Sequence, residues 1–358
     1  MDNTKKLFRA IKADAMLTSS EDLRAYLTGF SSSFGFVYTD AQESIFFTDP
    51  RYAEGAKKAL KDEFIAVEIA KSEASVLDYI KSKKIKKLAV PVDRLTQPEY
   101  ERLPLPRAQA LKKRRFRLED SLPAFMAAMS VKSGPEKDCI ARACSIAEHA
   151  FELWLGQIRE GMTENEAAGL LEYLMRKCGA SDRSFETIIA FGKNTAIPHH
   201  APDETVLRCG MPVLADFGCR YGGYCSDMTR TFLFGKGEGQ EDFARVYEKV
   251  LEAHLFCAEK IEAGMTGKAA DAIARDHLRG YGLDKFFTHS LGHGIGINIH
   301  EFPTLGPNGA DLLEDGMVFS IEPGVYFEGK FGIRIEDSVL LDGGVKSFMK
   351  TDKKLTVL

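Results

Sequence analysis

No stretch of this chain is apolar over the length a membrane span requires, and the N-terminal MDNTKKLFRAIKADAM lacks the hydrophobic core of a secretory signal. The expectation is a cytoplasmic protein with no membrane partner. Cysteine is sparse: seven residues, an odd number with no Cys-x-x-Cys pair, which argues against a disulfide framework and predicts reduced thiols. Cys219 and Cys225 are too widely spaced for a thiolate zinc pair and are expected as small core residues. Net charge is only −4, too small to point to nucleic acid or a membrane surface. The basic run KKRRFR (112–117) is followed by Glu119 and Asp120 and reads as a solvated connector. Histidine is scarce too, with eight in all, yet His289, His293 and His300 fall within THSLGHGIGINIHEFP (288–303).

What is present predicts two domains of α+β class, since 358 residues can bury more than one core. Residues 1–125 read as an α/β unit. FGFVY (34–38), SIFFT (44–48), FIAVEIA (64–70) and KLAVPV (87–92) look like strands, alternating with helical segments at 50–61 and 74–83. The proline-punctuated LPLPRAQALKKRRFRLEDSLP reads as a connection to a second domain at 126–358. There Ser133 and Glu136 form a capping-box signature ahead of a long amphipathic helix, on which His149 is expected to be structural.

The second half contains a duplication. GMTENEAAGLLEYLMRKCGA from Gly161 matches GMTGKAADAIARDHLRGYGL from Gly264, and GMPVLADFG from Gly210 matches GMVFSIEPG from Gly316. The matches keep their order and nearly their offset, which predicts two copies packed about a pseudo-two-fold axis. Asp216 and Glu322 occupy equivalent places, six residues after Gly210 and Gly316.

Residues 213–234 read as a hairpin about Tyr-Gly-Gly-Tyr, with Asp216 and Asp227 inside apolar strand patterns; 318–327 and 332–341 repeat the device with Glu322 and Glu336. Asp and Glu are depleted on interior strands. Pairing with Arg230 and Arg334 would account for one or two of the four, not for two related hairpins. A bound cation is the better compensation. Four carboxylates and one imidazole suit two divalent ions about 3.5–4 Å apart that activate a water nucleophile. An oxygen-rich set without thiolate favours Mn²⁺, Co²⁺ or Fe²⁺ over structural Zn²⁺.

In order, ADFG, SDMTRTF, GHGIG, IEPGVY and RIED resemble the pita-bread metallopeptidases, a family that includes methionine aminopeptidase, Xaa-Pro aminopeptidase and Xaa-Pro dipeptidase (prolidase). AYLTGF (25–30) and TDPRY (48–52) look like the creatinase/prolidase-type N-terminal domain of the Xaa-Pro branch, although SEDLRAYLTGF departs from the usual Asn-Ile-Arg-Tyr opening. The resemblance implies a pita-bread domain with Asp216, Asp227, His293, Glu322 and Glu336 as ligands of two metal ions, Zn²⁺ among the metals such sites accept. It implies that His199, in IPHHAP, binds substrate and assists proton transfer, and that His300 contacts the scissile carbonyl and stabilises developing charge. Glu322 both ligates metal and takes a proton from water. Less firmly tied to the family motif are His289 along the cleft, Arg334 for charge balance or substrate, and Thr229 and Tyr326 as partners that orient ligands. His254 and His277 are expected as ordinary packing or surface residues.

The implied reaction removes the residue preceding a proline from short peptides, in a homodimer whose N-terminal domains wall the cleft. Prolidase-like sequences place an arginine just after His-Glu-x-Pro, where this chain has Thr304, so the reading is Xaa-Pro aminopeptidase with Xaa-Pro dipeptidase as the alternative. A metal-free creatinase-like hydrolase or a non-catalytic binding protein of the same fold would lack part of the ligand set.

Overall fold

A computed structural model of the chain describes residues 3–60, 64–83, 85–102, 117–237 and 240–358. It divides into two compact units, Met1–Met129 and Ser130–Leu358. No helix among the described residues is long and apolar enough to cross a membrane.

Among the described residues of the first unit, a sheet runs in the order Ala66–Ile69, Ser44–Thr48, Phe36–Asp40, Ala15–Thr18, Lys87–Val90, Arg117–Asp120. The middle three strands are antiparallel neighbours, and the outer ones join in parallel. Helices Pro50–Ala59 and Glu73–Ser82 fall where expected, each started by a side-chain cap from Asp49 or Ser72. The strands Ala15–Thr18 and Arg117–Asp120 are too short for alternation to reveal them in sequence. Most of the expected connector, including all of its basic run except Arg117, lies outside the described residues. Tyr38, Ile45, Phe47, Leu77 and Leu88 share one core.

The second unit is the duplication made visible. Its first copy comprises α1 (Gly134–Leu155), α2 (Glu164–Lys177), β1 (Ile188–Phe191), β2 (Met211–Phe217) and β3 (Met228–Phe234). Its second comprises α3 (Gln240–Lys260), α4 (Gly267–Arg279), β4 (Gly292–Gly294), β5 (Glu301–Leu305), β6 (Val318–Ile321), β7 (Gly324–Phe327), β8 (Phe331–Arg334) and β9 (Glu336–Leu341). The main sheet reads β5-β4-β6-β9-β3-β2-β1, so β1-β2-β3 is answered by β4-β6-β9 across the β3/β9 pair. Local chemistry repeats as well. Thr163 and Thr266 each accept from the backbone N–H three residues on, capping α2 and α4. Gly161 and Gly264 adopt φ of 92° and 91° and donate to the carbonyls of Leu207 and Leu313. That left-handed backbone explains why both copies begin with glycine.

Alternation along β2 decides which face does what. Val213, Ala215 and Phe217 join the core beneath the helices with Phe151 and Trp154, and period two turns Leu214 and Asp216 to the opposite face. The first hairpin turns at Gly222 and Gly223, both with positive φ, which gives a type I′ turn between paired Tyr221 and Tyr224. Neither expected hairpin is continuous. After Phe217 the first passes into a small sheet formed by Asp182–Arg183, Cys219–Tyr221 and Tyr224–Cys225, and after Ile321 the second continues as a separate ribbon of β7 and β8. The crossing at the first break is tight: a Cβ on Gly218 would lie 1.9 Å from the Ser226 carbonyl oxygen. Pro323, with no N–H to donate, marks the second. The breaks fall where the carboxylates are.

Candidate active site

Asp216, Thr229 and Glu336 lie side by side across β2, β3 and β9, because Thr229 is in register with both acids. Asp227 immediately precedes β3, Glu322 immediately follows β6, and His293 is the middle residue of β4. Strands from both copies thus bring four carboxylates and one imidazole to a single face. They line a cavity of about 920 Å³ together with His199, His289, His300 and Arg334.

Within that cavity Asp227, His293 and Glu336 each place a ligand atom within 4.8 Å of the others. Nε2 of His293 lies 3.5 Å from Asp227 Oδ2 and 3.5 Å from Glu322 Oε1. Nδ1–H of His293 donates to the Gly294 carbonyl at 3.1 Å, so the Nε2 lone pair faces the carboxylates, the tautomer a metal ligand requires. Ser320 Oγ accepts from the His293 backbone N–H and donates to Glu322 Oε1, both at 3.1 Å. Thr229 Oγ1 donates to Glu336 Oε2 at 2.6 Å and accepts from Arg334 Nε at 3.0 Å. Arg334 also donates to Asp216 Oδ2 and to the Tyr326 hydroxyl, each at 2.6 Å. Tyr326 in turn meets Nε2 of His289 at 2.9 Å.

Arg334 neutralises one acid and leaves the remainder uncompensated. Asp216 Oδ1, Asp227 Oδ1 and Glu336 Oε1 are buried with no hydrogen-bond partner. Buried polar atoms are nearly always partnered, so three carboxylate oxygens lacking one in the same pocket are what a cation site leaves when protein atoms alone are counted. Burial, then the neighbouring acids, holds the carboxyls of Asp227 and Glu336 far above their ordinary range. Glu322 is pushed up to about 8 by burial, with Arg334 opposing the rise. Burial lowers His293 to about 4, which leaves its imidazole neutral. Divalent ions reverse this penalty by favouring ionised carboxylates, so the donor set fits hard or borderline dications.

The comparisons agree with this geometry. A family model described as metallopeptidase family M24 matches residues 138–342, and one described as the creatinase/prolidase N-terminal domain matches residues 1–113. The chain belongs to metallopeptidase family M24. It is similar to a Xaa-Pro dipeptidase of Bacillus anthracis of solved structure, with TM-score 0.89 and 35% identity over 99% of this chain and 98% of that one. An X-Pro aminopeptidase of Thermotoga maritima superposes equally well, at TM-score 0.89 and 34% identity over the whole of both chains. A Xaa-Pro dipeptidase of Pyrococcus furiosus is 40% identical over 63% of this chain and 64% of its own.

This M24 enzyme is therefore a hydrolase of the pita-bread fold, and membership implies divalent metal ions. Its other histidines separate by environment. His199 is exposed to the cavity, whereas His200 is buried against Glu164. His300 packs edge-on against His293 with ring centroids 4.4 Å apart, and burial lowers its pKa. His289 donates from Nδ1 to the Ser290 carbonyl at 2.8 Å, leaving Nε2 to accept from Tyr326; burial lowers it to about 3. His254 is buried in α3, His277 lies beside Glu252, and His149 is exposed. Arg230 pairs with the Asp337 carboxylate at 2.9 Å and meets Glu336 through its main-chain carbonyl at 2.6 Å. Cys219 and Cys225 are fully buried.

Sequence reasoning missed Ser320, Ser338 and Glu164. Ser338 Oγ accepts from the Asp227 N–H and donates to its carbonyl, at 3.0 and 2.8 Å. The available hint was parity: Ser320 and Ser338 stand two residues from Glu322 and Glu336. The glycines about His293 are required by close backbone packing. A Cβ on Gly292 would fall 2.0 Å from the Ser320 carbonyl oxygen, and one on Gly294 2.2 Å from that of Phe302.

Proposed function

We propose that this enzyme is a Xaa-Pro aminopeptidase, releasing the first residue of short peptides whose second residue is proline. The observation that carries the hydrolytic chemistry is the five-residue donor set with three unpartnered carboxylate oxygens. When bound by Asp216, Asp227, His293, Glu322 and Glu336, two divalent cations supply Lewis acidity to the scissile carbonyl and lower the pKa of the attacking water. Glu322 takes the proton of that water. Its Oε1 already accepts from Ser320, which leaves Oε2 for the task. His199, exposed in the cavity, binds substrate and assists proton transfer toward the proline nitrogen. His300 donates to the carbonyl oxygen as charge develops. Arg334 and Thr229 fix Asp216 and Glu336, so that ligand geometry does not reorganise during the reaction. Mn²⁺ suits the oxygen-rich set best, with Co²⁺, Fe²⁺ and Zn²⁺ as alternatives.

The choice of aminopeptidase over Xaa-Pro dipeptidase rests on how a dipeptide's free carboxylate would be met. The cavity presents Thr304 after His-Glu-x-Pro. Among the described residues its lining arginines are committed, Arg334 to Asp216 and Arg183 to Glu172 and Glu186. Comparing Ala-Pro-Ala with Ala-Pro under Mn²⁺ tests this: preference for the tripeptide is expected, and cleavage of the dipeptide alone overturns it. A cytoplasmic homodimer completes the proposal, and sedimentation at twice the 39.7 kDa chain mass is its check.

A further inference from the structure

We propose that Glu164 and His200 form a buried positioning pair that aims His199 into the cleft. The proposal rests on the reading of His199 as a substrate-binding group. The Glu164 side chain, at the first residue of α2, is fully buried. Its Oε1 accepts from the Phe191 N–H at 2.7 Å and from Asn194 Nδ2 at 3.0 Å. Its Oε2 accepts from the Asp203 N–H at 3.0 Å and from His200 Nε2 at 2.6 Å. All four donors belong to the segment 191–203, and they bracket His199. A carboxylate in that setting is tolerated only with its acceptor sites filled, and the N-terminus of α2 adds favourable electrostatics.

The anchors closest to His199 lie on either side of it. Pro198 gives its carbonyl to Arg334 Nη1 at 3.2 Å, which ties the loop to the metal-ligand network. His200 is buried with its Nε2 on Glu164, while His199, beside it in the cavity lining, is exposed. The reactive imidazole is thus one residue held between two anchors, of which His200 is buried. Glu164, His200 and Asp203 also bring ligand atoms within 4.8 Å of one another, but both Glu164 oxygens are already saturated by protein donors. The cluster reads as a clamp and not as a further metal site.

A double-mutant cycle on the Mn²⁺-loaded enzyme, read with Ala-Pro-Ala, separates positioning from general structural support. His200→Ala should lower kcat/KM by about 10- to 100-fold with both metal ions retained, as losses of orienting partners do. In a His199→Ala background the same change should cost less than about 3-fold, because the pair acts through a group already removed. His200→Gln, which keeps a donor at the Nε2 position, should restore most of the activity. Equal losses in both backgrounds, or no loss in the wild-type background, overturn the positioning pair while leaving the His199 role standing. A silent His199→Ala overturns both.

Discussion

A proton on Nδ1 of His293 and none on Nε2 prepares the only imidazole expected to bind metal, and Thr229 does the corresponding work for Glu336. Replacing Thr229 with Val removes the donor to Glu336 and the acceptor for Arg334 in one step. Metal affinity should fall about 10- to 100-fold, measured by competition with a chelator, and an unchanged affinity would count against the network. The acids also set a pH dependence for the metal-free protein. Glu322, near 8, and the strongly raised Asp227 and Glu336 hold protons in the folded state that the unfolded chain has released. The unfolded state binds fewer protons, so stability falls as pH rises toward 8. The lowered His293 and His289 act in the opposite sense, but only below about 6.5, where the unfolded imidazoles begin to charge. Thermal melts of chelated protein between pH 6.5 and 8 should therefore decline with pH. Added Mn²⁺ should abolish the decline, because the ions displace those protons. A melting temperature that climbs over this range without metal would contradict the assignment.

At the scale of elements, the breaks in the two hairpins bring the four acids, on or beside β2, β3, β6 and β9, onto one face. Backbone crossings that admit no Cβ maintain the packing around them. Gly292→Ala would force β4 away from Ser320, whose hydroxyl fixes both His293 and Glu322. Urea unfolding should show a loss of about 1–3 kcal/mol, accompanied by reduced metal retention. Gly134→Ala, at the start of α1 with nothing within 4 Å of the added carbon, is the control and should be close to neutral.

For the whole molecule, two units carry separate cores, and the chain's single tryptophan lies in the second. Trp154 stacks on Phe151 beneath β2 and β3, so its fluorescence reports the unit that contains the proposed metal ligands. Each occupied site adds about 2.7 kcal/mol when free metal is 100 times its Kd. The Trp154 transition should keep rising with the logarithm of free Mn²⁺, and metal analysis of the gel-filtered protein should count two equivalents per chain. A count of one equivalent would show that the five ligands hold a single ion.

The sequence by itself determined the residue types, their order and the duplication. These are carried by period-two alternation, glycine-threonine helix starts and repeated motifs, all of which act over a few residues. Asp216, Asp227, Glu322 and Glu336 were legible because a carboxylate inside an apolar strand is conspicuous without any fold. Tertiary structure alone decided that Arg334 takes Asp216, that Thr229 bridges to Glu336, and that His200 turns to Glu164. Thr229 and Glu336 are 107 residues apart, so their contact depends on the register between two copies of the repeat. Register of that kind is set by how two helix-backed sheets close on each other, and no local pattern encodes it. The same limit hid the breaks in the hairpins, where the chain leaves one sheet for another beside the acids proposed to hold the metals.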